Sequence, residues 1–279
     1  LTKEAPPFLK AGTAALSRMD TPMDYQYIRY ETRGPVAILT YDRQERRNAW
    51  SPELYREAEH AIERANADDA VGAIILTHEG AIFCSGTDFK GEPEVDPVTG
   101  KKLNIAQICM MQDKSWIHLL ERSKPVVAAV HGTAMGLGIT QLLPVDIRIG
   151  GESSVWSFPF IALGFMPELG CTALLPRLVG YGRALDLVLT SQKLTAQDAR
   201  EIGLITRVVP DGTVLEEALA VAEKLAAAPR LQIQLTRKLF RANALEPDPN
   251  TYLRNETEAF VEMIRAARRA REAAATTND

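Results

Sequence analysis

Val126 to Thr140 reads VVAAVHGTAMGLGIT, and the fold turns on it. Val126 to Val130 is a short, wholly apolar run of the kind that forms a strand buried on both faces. It enters a turn punctuated by Gly132, Gly136 and Gly138, where glycine lets the backbone approach a neighbour closely. Thr140, Gln141 and Leu142 continue as helix, which places the amides from Met135 to Gly138 at a helix N-terminus. Free N–H groups point outward there and the peptide dipoles favour negative charge, so the stretch predicts an anion or oxyanion site.

A second stretch upstream has the same grammar. Ala73 to Leu76 is a buried strand, and Ala81 to Asp88, AIFCSGTD, is another apolar run broken by small residues and a glycine. Two strand ends can each offer one N–H to the same oxygen. A carbonyl that becomes negatively charged needs such a pair, and losing one donor typically costs about 3–4 kcal/mol of barrier. A lone Ser-Gly-Thr-Asp turn is ordinary; the two stretches about fifty residues apart, with a helix-length segment between, carry the argument.

Composition bounds the rest. The 279 residues are 46% hydrophobic and 24% charged, the make-up of an ordinary globular chain with a substantial core. A net charge of -4 argues against nucleic acid as a partner, since phosphate backbones call for a basic surface. Cys84, Cys109 and Cys171 are odd in number and lack CxxC spacing, so they read as small core residues in a reducing compartment. No apolar run is long enough to span a membrane and no signal-peptide pattern is visible, which makes the cytoplasm the expected location. His60, His78 and His118 show no ligand spacing and His131 falls in the glycine turn, so no metal is expected.

Along the chain, residues 1–24 lack a clear period and read as an arm. Tyr25 to Glu31, the Gly34-Pro35 turn and Val36 to Tyr41 form a hairpin. Asp42 to Asn48 is a charged loop. Ser51 caps a helix that starts at Pro52, with Leu54, Ala58, Ala61, Ile62 and Ala65 at helical spacing. Lys90 to Lys102 is a loop, and Ile105 to Arg122 is a second helix whose Met110 and Met111 are candidates for core or pocket. Strand and helix alternate to about residue 210, an α/β core with parallel pairing, and residues 211–279 are helical.

Val155 to Phe165, VWSFPFIALGF, runs into Pro167 and Glu168. An acid after so apolar a run has two readings. In one, Pro167 and Glu168 open a helix from Leu169 to Val179, the carboxylate favoured by the helix dipole. In the other, Glu168 is a general base beside the oxyanion site, suited to taking a proton next to a carbonyl. Asp88, Glu92 or Asp113 are candidates for a second acid.

Taken together, Arg43 to Ala49 (RQERRNA), Ile82 to Lys90 (IFCSGTDFK), Lys124 to Gly138, Asp146-Ile147-Arg148, Phe158 to Leu175, and Leu194 to Ala199 before Gly203-Leu204 resemble the crotonase superfamily, the enoyl-CoA hydratase/isomerase group. The resemblance covers roughly residues 27–260. It implies a spiral of ββα units with a C-terminal helical region, forming homotrimers or dimers of trimers. It also implies an acyl-CoA substrate and no cofactor beyond the coenzyme A of that substrate. Carried over residue by residue, it puts the oxyanion-hole amides at Thr87 and Leu137. It puts coenzyme A contacts at Arg46 and Arg47, with Lys90 and a neighbouring subunit's Lys238 as further candidates.

The departures from the pattern bear on mechanism. The two glutamates by which hydratases of the family handle water would fall at Thr140 and near Phe160. Glu168 instead falls where the peroxisomal-type Δ3,Δ2-enoyl-CoA isomerases carry their base, in a similar frame of Pro159-Phe160, Leu163-Gly164 and Pro167-Glu168. The expectation is a 1,3-proton shift by Glu168 behind a water-excluding wall of Phe158, Phe160, Phe165 and Met166. The alternatives are a hydratase, dehydratase or hydrolase of an unusual acyl-CoA or diketone, and a non-catalytic acyl-CoA-binding protein.

Overall fold

Period-two alternation decides the layers. In strand β2 (Val36–Tyr41), Val36 and Ile38 face one way while Ala37, Leu39 and Tyr41 face the other. β3 (Ala73–His78) and β5 (Val126–Val130) repeat the pattern, with Ala73, Ile75, Val127 and Ala129 joining the first face and Ile74, Leu76, Val126, Ala128 and Val130 the second. Both faces are dry, which is why these strands read as continuous apolar runs. The structure is a computed structural model and describes residues 23–90, 95, 100, 102 and 116–276. The arm to residue 22, most of the Lys90 to Lys102 loop, Cys109, and the expected helix from Ile105 as far as residue 115 lie outside the described residues; residues 116–122 are helical as expected.

Two sheets share the strands. The larger has the order β1 (Ile28–Arg33), β2, β3, β5, β7 (Ile147–Gly151), β10 (Arg207–Val209), parallel throughout except for the β1–β2 hairpin. The smaller has the order β4 (Ile82–Cys84), β6 (Thr133–Met135), β8 (Val155–Ser157), β9 (Lys193–Thr195). Each of the pairs β3–β4, β5–β6 and β7–β8 gives its first strand to the large sheet and its second to the small one. The chain therefore spirals as the resemblance implied.

Helices close the layers. α1 (Pro52–Ala67) starts where Ser51 Oγ accepts the Leu54 N–H, and it buries Leu54, Ala58, Ala61, Ile62 and Ala65 as its spacing predicts. α2 (Leu137–Thr140) is a single buried turn after Gly136. α3 (Cys171–Val179), α4 (Tyr181–Thr190) and α5 (Ala196–Glu201) follow, the last with a capping box between Thr195 and Asp198. α6 (Val214–Ala227) covers the outer face of the large sheet with Val214, Ala218, Val221 and Ala222. α7 (Arg230–Asn243) and α8 (Pro249–Thr276) pack on each other, and α8 leaves Leu253, Phe260 and Ile264 exposed.

The Asp146-Ile147-Arg148 segment is a structural staple. The buried Arg148 guanidinium donates to the carbonyls of Leu142, Val145 and Leu204, tying the end of α2 to the approach of β10. Asp146 accepts the Val126 N–H at 2.8 Å and the Arg237 guanidinium at 2.7 Å, joining the start of β5 to α7.

Candidate active site

The two stretches singled out in the sequence meet. β4 pairs parallel with β6, so the chain leaves both strands side by side, through Gly86 on one and Gly136 on the other. Gly86 has φ +97° and Gly136 φ +58°, left-handed conformations that favour glycine. A methyl on Gly86 would lie 3.3 Å from the Met135 carbonyl oxygen and 3.8 Å from the Leu137 nitrogen. A methyl on Gly138 would stand 2.3 Å from the Cys84 carbonyl oxygen, closer than atoms can approach, so only glycine lets α2 sit on β4.

This geometry leaves two N–H groups over. Trp50 bridges to Thr87: the Trp50 N–H donates to the Gly86 carbonyl and the Asp88 N–H donates to the Trp50 carbonyl, both at 2.8 Å. The peptide N–H of Thr87 therefore turns away from Trp50. Leu137 is the first residue of α2, where a helical N–H has no partner in its own helix. Among the described residues neither N–H donates a hydrogen bond, and Thr87 and Leu137 line one cleft.

Glu168 faces them. The cleft, about 510 Å³ of space open to solvent, is lined by Ser85, Gly86, Thr87, Gly136 and Leu137 on one side and Phe160, Leu163, Phe165, Met166 and Glu168 on the other, with Phe89 at the edge. The Thr87 hydroxyl donates to Glu168 Oε1 at 3.3 Å. Glu168 does not open a helix: α3 begins at Cys171, after Leu169 and Gly170, both left-handed with φ of 53° and 70°. A left-handed leucine is strained by about 1–2 kcal/mol, and such strain gathers at functional sites. Leu169 is nonetheless buried, and the pair turns the chain so that Glu168 stays on the cleft wall.

The expected wall needs a correction. Phe160 is buried and lines the cleft, but Phe158 is fully buried in the main core and does not reach it. Phe165 and Met166 line the cleft but are exposed, Met166 at 82%. Leu163 and Phe89, which were not among the expected wall residues, complete the lining, and the Phe89 and Phe165 rings stack with centroids 5.2 Å apart. Thr140, where the resemblance would place one hydratase glutamate, is wholly buried and its hydroxyl donates back to the Leu137 carbonyl.

The cations separate into different situations. Arg46 donates to Asp88 Oδ1 at 2.8 Å and Arg43 to Asp88 Oδ2 at 2.8 Å, and the Arg46 side chain stays partly exposed. Asp88, a candidate second acid in the sequence, is locked by these pairings. Burial pulls its carboxyl up, but the Lys90 N–H and the Arg46 and Arg43 guanidiniums outweigh that and hold it below the usual carboxylate range. Arg47 and Lys90 are exposed; the Arg47 carbonyl accepts the N–H of Ser85, a cleft residue, and Lys90 follows Phe89. Lys238 stands elsewhere, on α7 in a surface groove with Arg122, Gln234, Arg237 and Arg241. Glu92 and Asp113 lie outside the described residues.

Cys84 and Cys171 are buried thiols, both pushed up to about 12 by burial, which makes them poor nucleophiles at neutral pH. His131 is half-buried and stacks on the buried His78 with ring centroids 3.8 Å apart. Among the described residues no group of three His, Cys, Asp or Glu has the arrangement of a metal site.

Residues 31–275 match the model of the enoyl-CoA hydratase/isomerase family. The chain belongs to that family. It is 32% identical over 243 residues to a short-chain-enoyl-CoA hydratase of Clostridium acetobutylicum, covering 87% of this chain and 91% of the relative. It is 34% identical over 207 residues to the 1,2-epoxyphenylacetyl-CoA isomerase of Escherichia coli K12, covering 73% of this chain and 77% of the relative. The crystal structure of an enoyl-CoA hydratase from Bacillus anthracis superposes with a TM-score of 0.77 at 29% identity, covering 86% of this chain and 92% of that one. Members of the family transform acyl-CoA thioesters, and the names among these relatives include both hydratase and isomerase. The choice between those reactions rests on the cleft's own side chains.

Proposed function

We propose that the protein isomerises enoyl-CoA esters by moving a proton from C2 to C4, with Glu168 as the base. The observation that carries this reading is the cleft's acid count: among the described residues Glu168 is the only carboxylate lining it. Adding water across a double bond asks for one group to activate the water and another to protonate carbon. A 1,3-shift asks for one group that takes a proton and gives it back. Thr140, buried and turned to a carbonyl, and Phe160, a hydrocarbon ring, supply no second acid.

The substrate thioester oxygen would sit between the Thr87 and Leu137 amides. As Glu168 removes the C2 proton, the electron pair moves into the thioester carbonyl, and the two N–H groups stabilise the resulting enolate oxygen. The same proton returns from Glu168 to C4 as the double bond moves into conjugation. Phe160, Leu163 and Phe165 give the cleft a hydrocarbon lining, and an acyl chain bound against them would keep water from the delocalised carbanion, which would otherwise exchange the proton. Arg47 and Lys90 are the exposed cations beside the cleft suited to coenzyme A phosphates, and the reaction needs no cofactor beyond that coenzyme. The exposed apolar residues of α8 support residues 211–279 as the region through which copies associate into trimers or pairs of trimers; a mass of the assembly in solution tests this.

A second reading draws on the hydratase names among the relatives: Glu168 activates water toward an unusual acyl-CoA, giving hydration, dehydration or hydrolysis. One experiment separates the two. A 3-enoyl-CoA and, separately, a 2-enoyl-CoA are offered in heavy water, and the enoyl and 3-hydroxy products of each are quantified. The isomerase reading expects the 2-enoyl ester, no 3-hydroxy ester, and a fall in turnover of about 10²–10⁴-fold in Glu168→Gln with affinity for the ester retained. A 3-hydroxy product would favour the second reading, and undiminished turnover in Glu168→Gln would remove the base assignment. Binding of the ester without C2 exchange in the wild type would leave a non-catalytic acyl-CoA-binding protein.

A further inference from the structure

We propose that the Thr87 side chain is the positioning residue for the base: its hydroxyl holds one oxygen of Glu168 and leaves the other free to face the substrate's C2. The inference rests on the reading of Glu168 as base and adds to it a role for a side chain whose peptide N–H serves a different end. Among the described residues this hydroxyl is the one hydrogen-bond partner of the Glu168 carboxylate, which has no ion pair there. A glutamate carries three side-chain torsions and, when untethered, loses conformational freedom on being fixed. Glu168 stands on the wall that needs such a tether, two residues after the exposed Met166.

The donor, by contrast, stands on a rigid frame. Thr87 is bridged to the buried Trp50 and followed by Asp88, whose carboxylate is clamped by Arg43 and Arg46. Threonine's branched Cβ restricts its first torsion, so the hydroxyl direction is set by the frame. A hydroxyl is also neutral: it orients a carboxylate without the strong charge stabilisation by which lysine or arginine would weaken a base. The O···O separation of 3.3 Å is longer than the about 2.7–2.8 Å usual for such a bond, and bonds of this kind tighten in the substrate complex. Because N–H and O–H belong to one residue, Thr87 fixes the separation between the enolate oxygen and the base.

The test uses the full chain with a 3-enoyl-CoA as substrate, and C2 hydrogen exchange of a saturated acyl-CoA in heavy water as a readout independent of the product formed. Thr87→Val removes the hydroxyl at nearly constant shape. It is expected to lower kcat and the exchange rate by about 10- to 100-fold, the size of a lost hydrogen bond to a charged group, with KM within about twofold. Thr87→Ser, which restores the hydroxyl, is expected to recover most of that loss. Thr87→Ala carries the same test with no added bulk should the valine variant fail to fold, as judged by thermal melting. The proposal is overturned if the hydroxyl-free variant keeps kcat within about twofold of wild type, if the loss appears in KM alone, or if serine is as slow as valine, which would mark a packing role. Glu168→Gln is measured alongside. An inactive glutamine variant beside an unimpaired valine variant removes the Thr87 proposal alone; an active glutamine variant removes both readings.

Discussion

The two sides of the cleft are built on opposite principles. The floor, β4 and β6 with the turns that follow them, is backbone: Phe83, Cys84 and Ala134 are wholly buried, glycines permit contacts a methyl would forbid, and the groups offered to a ligand are peptide N–H. The opposite wall, from Phe160 to Glu168, is side chain: Ile161, Leu163, Phe165 and Met166 stand exposed, and the one group with acid–base chemistry is a glutamate. A floor of main chain presents the same donors whatever acyl group is bound. The side-chain wall is where one member of the family can differ from another in reaction and substrate.

If that contrast holds, the floor should be costly to disturb and the wall cheap. The largest effect concerns the floor's anchor, where His131 stacks on His78 immediately before Gly132 and β6. Burial, and then the proximity of His131, push the His78 imidazole down to about 3, whereas in the unfolded chain it titrates near 6.5. As pH falls below about 6.5 the unfolded chain takes up a proton that the folded one refuses. The stability that this neutral histidine contributes is therefore complete above about pH 6.5 and lost progressively as pH falls toward 3, up to on the order of 4 kcal/mol. Denaturant midpoints from pH 7 to 4 should fall less steeply for His78→Gln than for wild type; equal slopes would detach the floor from this pair.

Next in size, Gly138→Ala should destabilise the fold by about 1–3 kcal/mol in urea titration, because the methyl meets the Cys84 carbonyl, which is main chain and cannot swing away. A stable Gly138→Ala protein with wild-type kcat would erase the distinction between floor and wall. Smaller still, Phe165→Ala breaks the ring stack with Phe89, an interaction of about 0.5–1.5 kcal/mol, and should appear as a raised KM that depends on acyl-chain length, with a melting temperature little changed. Met166→Ala, at an 82% exposed position, should change stability by less than about 0.5 kcal/mol.

Legibility followed the same division. The meeting of the Gly86 and Gly136 turns was readable because a buried strand running into small residues admits few structures. Ser51 as a cap and the buried stripe of α1 were readable for the same local reason. Glu168 was found as an acid after an apolar run, but its setting was not: the expected helix start at Leu169 is a left-handed turn through Leu169 and Gly170, and nothing in a leucine announces a positive φ. Phe158 and Phe160 look alike in sequence, yet one is core and the other faces the cleft, because the chain leaves β8 at Ser157 and alternation no longer tells which way a ring turns. Arg46 and Asp88 were expected as a coenzyme A contact and a candidate second acid; 42 residues apart, they are partners.

From the sequence alone came whatever depends on neighbours along the chain: strands dry on both faces, the glycines that let two of them end side by side, the caps, and an acid placed at the end of an apolar run. Tertiary structure alone decided which hydroxyl reaches that acid, which arginine is paired with an aspartate, and which aromatic rings face the cleft. Those outcomes depend on groups tens of residues apart coming within hydrogen-bond distance, and local periodicity does not encode such separations.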